Sequence, residues 1–191
     1  LVPLYLDTIS IVVSDTGVKR GLVDSEYNAR RSECERGVRI LERFLPGIRA
    51  LRDVDIDDFY KYSSHIPEIT EKRCVYVIKE NQRVLDSVKA LLEKDLLRFG
   101  ELMNESHLGL KNEYEVSCPE LDAMVEIAWS IDGVIGSRMT GAGFGGCTVT
   151  LVVKDSIDEL VNKIKKEYPK RTGLQPTIHI CSAEDGASVI E

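Results

Sequence analysis

The segment Gly136-Ser-Arg-Met-Thr-Gly-Ala-Gly-Phe-Gly-Gly-Cys147 holds most of the chain's chemical options. Glycines at 136, 141, 143, 145 and 146 free the backbone to take positive φ or to meet another segment closely. Gly141, Gly143 and Gly146 satisfy the dinucleotide string G-x-G-x-x-G, which requires a strand before it and a helix after it. Here the glycines lead instead into Cys147-Thr-Val-Thr-Leu-Val-Val153, β-branched and alternating, which predicts a strand. A Rossmann cofactor site is therefore set aside, and no G-x-x-x-x-G-K-[ST] phosphate cradle exists. Two readings remain. The glycines form a plain strand-to-strand turn, or their successive N–H groups form an anion-binding concavity with Thr140 and Arg138 at its rim. Arg138 alternates with Ser137 and Met139, so pairing with a helix carboxylate is an equal alternative.

A second segment, Ser25-Glu-Tyr-Asn-Ala-Arg-Arg-Ser-Glu-Cys34, opens a helix. Ser25 is expected to cap it, with Arg30 and Glu33 as exposed helix charges. Tyr27 stands apart, because a tyrosine at a helix start can direct its hydroxyl into a cleft. Glu115-Val-Ser-Cys-Pro-Glu120 reads as a helix cap, with Glu120 suited to the helix dipole. His107 is expected to cap the last carbonyls of its own helix, and Met124, Trp129 and Met139 to fill the core. The spacing of the titratable residues gives no catalytic residue and no metal site. Five cysteines lack any Cys-x-x-Cys, and three histidines lack ligand spacing.

The elements that position these groups are set by periodicity. Ile9–Val13 predicts a strand, and Ser25 to about Leu45 a helix closed by Pro46-Gly47. A short acidic helix or turn spans 53–62. Pro67 opens a long helix to Leu92, and another runs from about Lys94 to Leu108, offset near Asp95. Pro119 starts a helix that Asp132-Gly133 ends. Strands at 134–138 and 148–154 flank the glycines. Asp155 or Ser156 caps a helix to Tyr168, broken by Pro169 and Gly173, and 177–181 is a last strand. The fold class expected is α+β: a ferredoxin-like β-α-β-β-α-β antiparallel sheet with extra helices inserted in the first crossover. Residues 1–191 are expected to form a single domain, with 1–8 a connector. Its 43% hydrophobic content supplies core material.

A net charge of −7 argues against nucleic-acid binding, which needs a basic face. No run is long enough to span a membrane, and the opening stretch, with Pro3 and Asp7, is no signal peptide. Widely spaced cysteines favour reduced thiols and a cytoplasmic setting.

Three segments taken in order resemble the C-terminal part of galactokinases, in the GHMP kinase superfamily: 25–34, Tyr114-Glu-Val-Ser-Cys-Pro-Glu-Leu-Asp122, and 136–147. The last is similar to the third conserved motif of that superfamily. The resemblance implies ATP-dependent phosphorylation of the C1 hydroxyl of α-D-galactose, in a cleft between two domains. ATP and Mg2+ are then implied for the complete enzyme. By the same resemblance Tyr27 contacts the sugar, and Arg138, Thr140, Gly141, Gly143, Gly145 and Gly146 belong to the active-site glycine loop. The family's sugar-binding Gly-Glu-His-Thr-Asp motif, its ATP loop and its catalytic aspartate do not occur in this sequence, so a missing N-terminal domain is expected to supply them and the isolated chain to be inactive. A non-catalytic galactokinase-like sugar sensor and a kinase for N-acetylgalactosamine or another sugar are the alternatives. Phe144 leans towards galactose. If another half packs here, an apolar patch is expected beside the glycines.

Overall fold

Four strands, β1 (Ile9–Asp15), β2 (Val134–Thr140), β3 (Cys147–Val153) and β4 (Thr177–Cys181), pair antiparallel throughout in the order β2-β3-β1-β4. The computed structural model describes residues 2, 7–18 and 23–182, without the side chains of 23–25; most of the expected connector at 1–8 and the Ser25 cap lie outside the described residues. Between β1 and β2 come α1 (Val23–Leu41), α2 (Ile56–Tyr62), α3 (Glu68–Leu92), α4 (Leu96–Asn112) and α5 (Pro119–Trp129). One helix, α6 (Ile157–Thr172), joins β3 to β4. This is the expected β-α-β-β-α-β order with helices inserted in the first crossover.

Side chains alternate across the sheet, so its two faces differ in composition. Val12 and Val152 lie under α5 and α6, where they meet Met124, Ile127, Leu160 and Ile164. Small hydroxyl residues fill much of the rest of that face. Ser137 Oγ and Thr150 Oγ1 lie 2.8 Å apart, while the Ser14 and Thr148 hydroxyls find no partner among the described residues. Short side chains let the two helices approach the sheet, at the cost of those unpaired oxygens.

β2 is an edge strand, and α4 seals it. The Ser137 N–H donates to Asn104 Oδ1 at 2.8 Å and the Met139 N–H to His107 Nδ1 at 3.3 Å. Asn104 and His107 are three residues apart, one turn along the same helix, matching alternate N–H groups of the strand. Gly136 makes this possible. A Cβ there would stand 2.5 Å from the Gly100 carbonyl oxygen, so it is a helix contact inside β2 and no part of the bend. His107 does not cap α4 as expected. It is buried within the helix and spent on the strand edge.

Several boundaries shift for identifiable reasons. α1 ends at Leu41, four residues early, because Phe44 turns off to stack between Tyr62 and His65. α4 starts at Leu96, since Lys94 takes φ +59° and the Asp95 carboxylate caps the Arg98 N–H at 2.9 Å. α4 then continues to Asn112 rather than ending at Leu108. Pro169 lies inside α6 rather than breaking it. Gly173 at φ +76° closes the helix one turn later. Among the described residues no helix is long and apolar enough to cross a membrane.

The unpaired Thr148 hydroxyl gives a stability test. Thr148→Val keeps the shape and removes a buried oxygen without a partner, so stability should rise by up to about 1 kcal/mol. Urea midpoints of the two proteins measure it; a loss of similar size would show that the hydroxyl is satisfied in solution.

Candidate functional site

The β2–β3 connection runs from Gly141 to Gly146, and every residue in it except Ala142 has positive φ. Phe144 is the exception to the glycine rule, at φ +57°. Two segments press on the bend from inside. After β1, the Thr16 N–H and hydroxyl both donate to the Gly146 carbonyl, at 2.9 and 2.7 Å. Val18 stands where a Cβ on Gly145 would go, at 2.8 Å. Between α4 and α5, the Val116 carbonyl accepts the Phe144 N–H at 2.8 Å. The same carbonyl oxygen would lie 2.1 Å from a Cβ on Gly143. The glycines therefore serve close approach as well as turning. Gly143, Gly145 and Gly146 are buried and Gly141 is exposed, so only the first part of the bend faces solvent.

The Phe144 amide is directed inward, which removes it from any anion cradle. The Phe144 ring packs on the small cluster of Val116, Leu121 and Met139. That position weakens it as a mark of sugar preference, because it is a core contact.

The other site candidates divide. Arg138 reaches across the sheet face to α3 and α4, donating to Glu80 Oε1 at 3.2 Å and Ser106 Oγ at 2.9 Å. It pairs with a carboxylate of the inserted helices, the alternative to a place at the rim of an anion site. Thr140 ends β2 opposite Cys147, directly before the bend. Tyr27 lies in the second turn of α1, with its side chain exposed. Three residues on, Arg30 donates to the carbonyls of Tyr114 and Glu115, at 2.8 and 3.1 Å. Val116 is the next residue, so the helix carrying Tyr27 and the glycine bend are fastened to one short segment.

That segment is more than the helix cap expected. Ser117 Oγ and Lys111 Nζ donate to Asp122, Lys111 at 2.9 Å, and His107 Nε2 lies 3.4 Å from it. Since His107 Nδ1 accepts from Met139, its proton sits on Nε2, towards the carboxylate. Burial alone would raise the Asp122 pKa, but the donors His107, Ser117 and Lys111 outweigh it and hold the group at about 2. Arg30 and Glu33, expected as exposed charges, are instead drawn in against this part of the molecule. Spacing could not reveal that, since their partners lie 40 to 85 residues away.

An apolar cavity of about 420 Å³ opens between α3, α4 and the other sheet face, lined by Ile11, Val84, Val88, Leu91, Val149 and Leu151 among others. It begins at Arg138 and Val149, each two residues from the strand end that carries the bend.

Residues 87–170 match the family model of the GHMP kinases C terminal. The chain is 46% identical to a galactokinase of Clostridium beijerinckii over 188 residues, which are 98% of this chain and 48% of that protein. It is 41% identical to one of Fusobacterium nucleatum over 191 residues, 100% of this chain and 49% of that protein. The solved structure of Lactococcus lactis galactokinase complexed with galactose matches with a TM-score of 0.88 at 34% identity, over 93% of this chain and 46% of that one. Residues 87–170 thus match a GHMP kinase C-terminal domain, and likeness to galactokinases runs along nearly the whole chain. An L. major mevalonate kinase in complex with R-mevalonate shares the fold alone, with a TM-score of 0.57 at 22% identity over 91% of this chain and 42% of that one. The chain spans about half the length of the curated relatives it matches.

The bend can be tested by contrast between glycines. Gly143→Ala meets both a positive φ and the Val116 carbonyl, whereas Gly47→Ala meets a positive φ with nothing within 4 Å. We expect Gly47→Ala to cost about 1 kcal/mol and Gly143→Ala at least about 2 more, read from denaturant midpoints. Equal costs would remove close approach as the reason for Gly143.

The Asp122 cluster yields a pH test. Its folded pKa of about 2 lies below the ordinary 3.8, so its contribution is full above 3.8 and disappears as pH falls through about 2. Asp122→Asn should flatten the stability–pH curve across that window, with little change in slope above pH 5. Thermal melts at stepped pH check it, and an unaltered acid limb would show that the carboxylate is not held down.

Proposed function

We propose that this chain is the C-terminal part of a galactokinase, which phosphorylates the C1 hydroxyl of α-D-galactose with ATP in a cleft shared with an N-terminal domain. The observation that carries the reading is galactokinase likeness along nearly the whole chain, matched to about half of each relative. Residues 1–191 then act as a single domain. Tyr27 is the sugar contact, an exposed side chain whose hydroxyl can accept from or donate to a ring hydroxyl. The bend from Gly141 to Gly146, approached by Thr140, is the wall against which the phosphate-binding part of the other domain rests. Arg138 supports that wall from behind through Glu80 and Ser106. These roles are positioning ones, which contribute to rate by holding reacting groups in line.

ATP and Mg2+ belong to the complete enzyme. Within the bend the Phe144 amide and the Gly146 carbonyl are already paired inside the domain, so neither is available to a phosphate or a metal ion. The proton acceptor for the sugar hydroxyl is assigned to the other domain, and five widely spaced cysteines without a Cys-x-x-Cys support a cytoplasmic setting.

Reconstitution tests this. The chain alone should show no galactose-dependent ATP consumption. Joined to an N-terminal half it should turn over, and Tyr27→Phe should then raise KM for galactose roughly 2- to 10-fold, the worth of one hydrogen bond. Turnover by the chain alone would overturn the division of labour. Sugar binding without turnover by the joined halves would favour a sensor, and preference for N-acetylgalactosamine in competition assays would reassign the substrate.

A further inference from the structure

Behind the 113–116 segment lies a charge cluster that the proposed chemistry does not use. Arg73, on α3, is 3% exposed. Its guanidinium donates from Nε to Glu33 Oε2 at 3.2 Å, from Nη1 to the Glu113 carbonyl, and from Nη2 to Glu115 Oε2 at 2.6 Å. Glu33 is shared with Arg30 at 3.4 Å, and Lys72 takes the other Glu115 oxygen at 3.1 Å. One planar fork thus joins α1, α3 and both ends of the turn leaving α4. Glu115 itself has φ +54°, a conformation that a non-glycine residue keeps only when its surroundings enforce it.

An ion cluster built on a buried arginine, with Glu115 and Lys72 half exposed, is a poor way to gain stability, since exposed pairs add little and a buried charge is costly to desolvate. What it supplies is direction. Each of three acceptors must lie on its own N–H vector, so the backbone at 113 and 115 is fixed from two sides. Val116 comes next, and its carbonyl is the one that takes the Phe144 N–H and fills the space beside Gly143.

We propose that Arg73 is a positioning residue for the active site: it fixes the 113–116 segment and, through the Val116 carbonyl, sets the glycine bend against the helix that carries Tyr27. The proposal rests on the reading that bend and Tyr27 wall one cleft. Arg73 touches no substrate in this scheme and acts only through the backbone it holds.

Two measurements separate the brace from the function it serves. The first is amide hydrogen exchange on the full chain, comparing wild type with Arg73→Lys, which keeps the charge but loses the fork. The Phe144 amide should exchange about 30-fold faster in the variant, while the Val12 amide in the central strand stays as protected as before. The second is steady-state kinetics of the joined halves, where kcat should fall about 10-fold with KM for ATP unchanged. Glu115→Gln, which weakens one arm of the fork, should give an intermediate rise in Phe144 exchange and provides the test if Arg73→Lys folds poorly. Phe144 exchange unaltered in both variants overturns the proposal. Faster Phe144 exchange with kcat unchanged overturns the positioning role and the active-site reading of the bend, while leaving the likeness to the kinase family untouched.

Discussion

A carbonyl oxygen occupies the place where residue 143 would carry a side chain. Val116 contributes that oxygen, and the Phe144 N–H is bonded to it at 2.8 Å. This contact decides what the bend is. A hairpin of Gly141 to Gly146 left to itself has many conformations available, because glycine loses the most freedom on ordering. Pressed between Val116 on one side and Thr16 and Val18 on the other, it has few. The positive φ at Phe144 is a consequence of the same squeeze: its ring enters the cluster of Val116, Leu121 and Met139 while its amide turns to Val116.

The strands bearing the bend need the same kind of help. β2 has a free edge, and an edge strand with open N–H groups is a site for unwanted pairing. Here α4 meets it at backbone distance, through Gly100 against Gly136, and closes it with Asn104 and His107. Asn104 Oδ1 also accepts the Trp129 indole N–H at 2.6 Å, so one amide ties α4, α5 and β2. His107 does likewise through Asp122. The helices inserted before β2 are thus the structure that gives the last hairpin a defined place.

Much of this architecture was legible in residue patterns and some was not. These strands were readable because alternation in Thr148–Val153 and Thr177–Cys181 has a period no helix shares. The start of α5 was readable because proline suits a first helical turn. The purpose of Gly136 was hidden, since a glycine needed by a distant helix looks the same as one needed by a turn. Arg30 and Glu33 looked like surface charges, and Glu115 like part of a helix cap, for a related reason. Local spacing describes i to i+4 neighbours, while their partners come from other elements. His107 carried one signal that could have been used: it stands three residues after Asn104, on the face that begins with Gly100.

The chemical character of the bend is set by how it is held. A loop that offers phosphate binding must leave several N–H groups unpaired and convergent. This one turns its Phe144 amide inward, buries Gly143, Gly145 and Gly146, and brings its nearest arginine, Arg138, to a carboxylate. Its surface is therefore defined in shape and weak in charge. In the proposed galactokinase reading such a wall would limit where a sugar and a phosphate chain sit without stabilising the charge that develops between them. That stabilisation would then have to come from dipoles, cations or a base on the proposed N-terminal domain, where positioning by this wall would make them effective.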